Sequence, residues 1–173
     1  MLFRSEWADK TTPKNAAAAV KAGIPIGYYH FATLGNANPL NPCADSAAEA
    51  GFFLRKLSGL PPSSQTMPPM LDLESEKVLL SPQQVGLWVS SFAISVLNNN
   101  KFKTVGIYSG KYWLDEHLPP GHSFGRWPLW LAQYTDATVP QLPVGWKDWF
   151  LWQYTDKGKV DGITGPVDLS RLP

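Results

Sequence analysis

The sequence predicts a mixed α/β fold in which parallel strands are covered by helices. Three observations point there. Short runs such as residues 24–31, 70–73 and 104–109 are almost continuously apolar, as strands buried on both faces are. Stretches with helical apolar spacing and capping signals alternate with those runs. Polar and aromatic residues gather late in each run: His30, Asp72 and Glu74, Tyr108, Gln133 and Tyr134, Gln153 and Tyr154. A (β/α) barrel and an open parallel sheet both satisfy this pattern. In either, the functional site lies at the carboxyl ends of the strands, so these residues are expected at one mouth.

In chain order, a short apolar start breaks at Ser5-Glu6. Thr12 as N-cap and Pro13 at the first helical position open an alanine-rich helix over 13–22, which Gly23 ends. Residues 24–31 form a buried strand. A polar loop over 35–42 leads into an amphipathic helix over 44–58, with Ala47, Ala50, Phe53, Leu54 and Leu57 on its apolar face. Residues 59–69 are a Pro/Ser-rich connection. Ser81, Pro82 and Gln84 spell a capping box with proline at N1, which starts the longest helix. Its apolar face runs Val85, Trp88, Val89, Phe92 and Val96, and Asn98-Asn99-Asn100 stops it. Further strands are expected over 127–134 and 149–155, with a short helical piece over 112–117. Gly-rich turns and Val167-Asp168-Leu169 close the chain.

The stretch Met70-Leu71-Asp72-Leu73-Glu74 carries the chemistry. Alternate side chains of a strand share a face, so Asp72 and Glu74 point the same way, about 6.6 Å apart at a rise of about 3.3 Å per residue. Glycoside hydrolysis uses two carboxyl groups at about that separation, one protonated and one charged. Like charges so close push their pKa values apart, which readies one as an acid at neutral pH. A solvated loop entrance or a metal site is the blander account of the same pattern.

Composition narrows the classes. The 173 residues suffice for one domain, taken as 1–173, with a sizeable core. A net charge of +1 with 17% charged residues offers nothing to nucleic acid or an acidic membrane surface. Eight Trp and six Tyr are the oddity; aromatic faces stack on sugar rings, although most large aromatics simply fill cores. With Cys43 alone, no intrachain disulfide forms. The first residues lack the apolar run of a signal peptide, and no stretch approaches the ~20 apolar residues of a membrane span. No Gly-rich phosphate loop follows any strand.

Six segments in order resemble glycoside hydrolase family 25, the lysozymes (N-acetylmuramidases) of bacteria, phages and some fungi. They are Ala22-Gly23-Ile24-Pro25-Ile26-Gly27-Tyr28-Tyr29-His30-Phe31, Leu71-Asp72-Leu73-Glu74, Gly106-Ile107-Tyr108-Ser109, Leu129-Trp130-Leu131-Ala132-Gln133-Tyr134, Trp152-Gln153-Tyr154-Thr155 and Gly165-Pro166-Val167-Asp168-Leu169. The resemblance implies an irregular (β/α) TIM-like barrel that cleaves the β-1,4 bond between N-acetylmuramic acid and N-acetylglucosamine in peptidoglycan. It implies Glu74 as general acid, and Asp72 as the residue that orients the substrate's 2-acetamido group as internal nucleophile. Tyr29, Tyr108, Trp130, Gln153 and Asp168 are implied to bind substrate, with His30 either assisting them or satisfied inside the fold. No metal or organic cofactor is implied. The substrate places the activity outside the cell or at its wall.

Members of that family normally begin with a strand bearing an Asp-x-Ser motif, whose aspartate joins the D-x-E pair. The chain is therefore expected to be incomplete at its N-terminus, with Ser5-Glu6 as the end of the second strand. An open barrel edge would invite self-association. The missing aspartate also raises an alternative, a weakly active or inactive peptidoglycan-binding pseudoenzyme.

Overall fold

The computed structural model describes residues 2–4 and 7–173, so the expected strand end at Ser5-Glu6 lies outside the described residues. The elements are β1 (Leu2–Arg4), β2 (Trp7–Ala8), α1 (Thr12–Ala22), β3 (Tyr29–Phe31), α2 (Pro42–Ser58), β4 (Met70–Asp72), α3 (Pro82–Leu97), β5 (Gly106–Gly110), α4 (Lys111–His117), β6 (Leu129–Ala132), β7 (Leu151–Gly158) and β8 (Val167–Arg171). All strands join one sheet in the order β2-β1-β3-β4-β5-β6-β7-β8. Neighbours run parallel from β1 to β7, while β2 and β8 add antiparallel margins. Antiparallel β8 is joined to β7 through two register shifts, which bend the strand pair.

Alternation sorts the strand residues into two layers. Leu71, Leu73, Ile107, Leu129 and Leu131 point to the helix side and are fully buried in the core with Phe53, Trp88 and Phe92. Asp72, Tyr108 and Trp130 occupy one cross-strand row on the opposite face, in direct register. The sheet curls towards that face. The Trp130 indole N–H on β6 reaches past β7 to donate to the Ser170 hydroxyl of β8 at 3.0 Å, which a flat sheet would not allow. The result is a mixed α/β fold with a curled, half-barrel sheet.

Helices α2 and α3 back the sheet and are tied together by polar contacts as well as core packing. The Ser46 hydroxyl donates to Trp88 O (2.6 Å), and the Trp88 indole donates to the Asp45 carboxylate (2.7 Å). The capping box at Ser81 and Gln84 forms as the sequence predicts, and Gly23 takes the left-handed conformation (φ 66°) that ends α1.

Several boundaries move for local reasons. Helix α1 starts one residue early, with Thr11 at the N-cap position; the Thr11 hydroxyl engages Asp9 and Asn15 instead of capping. Helix α2 starts at Pro42 because Asn41 caps it, accepting from the Ala44 N–H at 3.2 Å. Only the end of the run 24–31 is strand. Pro25 has no N–H to give, and Ile26 pairs instead with Thr66 in the connection before β4. β1 lies where the remainder of the family's second strand was expected, just before Ser5, whereas β2 and β8 were not expected as elements of the sheet.

Candidate active site

Six strands contribute to one hollow on the inner face, a cavity of about 270 Å³ lined by Tyr29 (β3), Asp72 and Glu74 (β4 and just beyond), Tyr108 (β5), Trp130 (β6), Gln153 (β7) and Asp168 (β8). Seven of the eight residues singled out by sequence are thus brought together. Asp72 and Gln153 are each 3% exposed, whereas Glu74 and Asp168 stand open to solvent. The Tyr108 and Trp130 rings meet edge to face, 5.0 Å between centroids, which fixes both aromatic planes along the cavity wall.

The electrostatics suit acid chemistry. Burial raises the Glu74 carboxyl above the ordinary glutamate range, and the Asp168 carboxylate adds to the effect. Glu74 therefore keeps its proton to higher pH than a solvated glutamate. Burial, then the Asp72 and Glu74 carboxylates, pushes the Tyr29 hydroxyl up to about 12. Burial, then Glu74 and Asp72, raises Tyr108 as well. Both phenols stay protonated near neutrality and remain hydrogen-bond donors towards whatever fills the hollow. Among the described residues, no cluster of three or more His, Cys, Asp or Glu side chains is arranged to hold a metal ion.

His30 is the exception. The sequence left it either as a substrate contact or as a histidine satisfied inside the fold, and the structure overturns the first: it is fully buried on the helix side of β3. Its Nε2 hydrogen-bonds the Glu49 carboxylate of α2 at 2.6 Å, and its ring packs against both Phe53 and Phe92, with centroids 5.6 and 5.3 Å away. The reason is alternation: Tyr29 faces the hollow, so its neighbour cannot. The same rule buries Trp152 on the far side of β7 while Gln153 faces in.

One rim residue lay outside the expected site set. Tyr134, 54% exposed, accepts a hydrogen bond from Gln153 Nε2 at 3.1 Å, and its hydroxyl is raised by burial, Asp168, Asp156 and Glu74. Its place late in the β6 run was the available signal. Asp9, by contrast, spends its carboxylate on the Thr11 N–H and hydroxyl.

Comparisons with known proteins bear on the family and the fold. The model of the family described as glycosyl hydrolases family 25 matches residues 5–163. Lysozyme M1 of Streptomyces globisporus is 28% identical over 175 residues, covering 97% of this chain and 56% of that protein. The structure of the Clostridium perfringens spore cortex lytic enzyme SleM superposes with a TM-score of 0.81 at 25% identity, covering 99% of this chain and 59% of that one. A family GH25 lysozyme from Aspergillus fumigatus gives 0.79 at 25% identity, covering 99% of this chain and 79% of that one. The chain spans about half the length of the curated relatives it matches. With a family match over most of its length and the acidic pair set in an aromatic hollow at the strand ends, the chain belongs to glycosyl hydrolases family 25.

Proposed function

We propose that this chain is a peptidoglycan hydrolase that cleaves the β-1,4 bond between N-acetylmuramic acid and N-acetylglucosamine, acting at the cell wall. The curled sheet is then an irregular (β/α) TIM-like barrel with its mouth at the carboxyl ends of the strands. The observation that carries this reading is that Asp72 and Glu74 share one aromatic-lined hollow in which the Glu74 carboxyl is raised.

Glu74 donates its proton to the glycosidic oxygen as the bond to the leaving sugar breaks. Asp72 accepts a hydrogen bond from the N–H of the substrate's 2-acetamido group. That aligns the acetamido oxygen to attack the anomeric carbon from the opposite side, and water then opens the cyclic intermediate with Glu74 as base, so configuration is retained. Tyr29 and Tyr108 donate hydrogen bonds to oxygens of the bound sugar. Trp130 supplies an apolar face for the sugar, and Gln153 and Asp168 supply polar partners.

Release of reducing ends from purified cell walls tests the assignment. Glu74→Gln keeps the shape and removes the acid, and is expected to lower the rate by about 10²–10⁴-fold. A Glu74→Gln protein as fast as the parent removes Glu74 from the acid role. Saccharide binding by the parent without any released reducing ends would make the chain a peptidoglycan-binding remnant.

A further inference from the structure

The ladder of β4 ends at Asp72, so Glu74 stands on a segment that the sheet itself no longer holds. The last backbone bonds around it are Ala32 N–H to Asp72 O and Leu73 N–H to Tyr108 O, both 2.9 Å. Beyond them side chains take over. The Ser109 hydroxyl donates to Leu73 O at 2.5 Å. The Ser75 hydroxyl donates to Ala32 O at 2.6 Å and accepts from the Leu34 N–H at 3.3 Å, using both of its capacities at once. The Trp113 indole N–H, from the first turn of α4, donates to Ser75 O at 3.1 Å. Leu73 and Ser75 are both buried while Glu74, between them, points out to the hollow.

We propose that Ser75 and Trp113 are positioning residues for Glu74, pinning the residue after it so that its carboxyl stays aligned with the glycosidic oxygen. The proposal rests on Glu74 being the general acid. Proton donation depends steeply on placement, since a displacement of about 1 Å can cost about 10²-fold in rate. In the bond-breaking step, a clamp of this kind matters only when the leaving group needs a proton. A residue that merely supports the fold affects every substrate alike.

Trp113→Phe keeps an aromatic ring and deletes the N–H together with part of the indole's packing surface, so the comparison between two substrates, not the loss itself, isolates the clamp. Its rate on peptidoglycan fragments is expected to fall about tenfold in kcat, equivalent to ~1.4 kcal/mol of lost transition-state stabilisation, with KM unchanged. Its kcat/KM on a dinitrophenyl glycoside of a 2-acetamido sugar, whose leaving group departs without protonation, is expected to match the parent, because that ratio reports bond cleavage and not the later step in which Glu74 acts as base. Ser75→Ala should behave alike; if it fails to fold, Trp113→Phe decides. Equal losses on both substrates, or full activity on both, overturn the proposal. Glu74→Gln is measured in parallel. Parental activity there on the fragments removes the acid assignment first. Selective loss on fragments in Glu74→Gln, without it in Trp113→Phe, removes the clamp alone.

Discussion

Glu49→Ala separates a structural His30 from a substrate-binding one. Glu49 is 5% exposed and accepts from His30 Nε2 (2.6 Å) and from the Thr33 hydroxyl, which joins α2 to the strand and loop that carry Tyr29 and Phe31. Alanine leaves the buried His30 and the half-buried Thr33 hydroxyl without their acceptor. Removing one member of a buried, hydrogen-bonded polar pair costs about 3–5 kcal/mol. At about 2–4 °C per kcal/mol for a chain of this size, the melting temperature should drop by about 6–20 °C. Thermal unfolding followed by circular dichroism reads the shift, and kinetics on wall fragments well below the new midpoint should show an unchanged KM. A melting temperature within about 2 °C of the parent, together with a raised KM, would refute the placement of His30 behind the sheet.

Two further outcomes follow from the geometry. Asp168→Asn removes the carboxylate that, after burial, raises Glu74. With Glu74 as the proposed acid, its protonated form is the active one, so lowering its pKa should move the alkaline limb of the kcat/KM profile to lower pH; an unmoved or upward-shifted limb contradicts this. Gly125→Ala would place a Cβ 1.8 Å from Gly145 O, forcing two backbone segments apart. The expected cost of about 1–3 kcal/mol is read as a lowered urea midpoint with unchanged slope.

What the sequence made legible was what depends on local chemistry. Ser81, Pro82 and Gln84 announce α3 because a cap is built from three neighbouring residues. Asp72 and Glu74 announce the site because strand alternation alone puts them on one face. The margins were opaque for the opposite reason. Two residues of β2 carry no period, and β8 becomes a strand only by pairing with β7 through shifted register. His30 fell between the two cases. Alternation with Tyr29 already excluded it from the mouth, but its chemical type made it attractive, and only Glu49, nineteen residues on, shows what it satisfies. Tyr134 was expected at the mouth from its place late in its run, but not among the substrate contacts, because what ties it to the rim is the Gln153 amide of the neighbouring strand.

The unequal footing of the acidic groups has a consequence for how the domain can change. Asp72 belongs to an interior strand braced on both flanks, whereas Asp168 rides the outermost one, fastened to β7 and clasped by Arg171 lying 4.1 Å over the Trp152 ring. Insertions, substitutions and transient fraying are tolerated most readily at such a border. On the proposed function, grip on different wall chemistries can therefore drift there while Asp72 and Glu74 stay put.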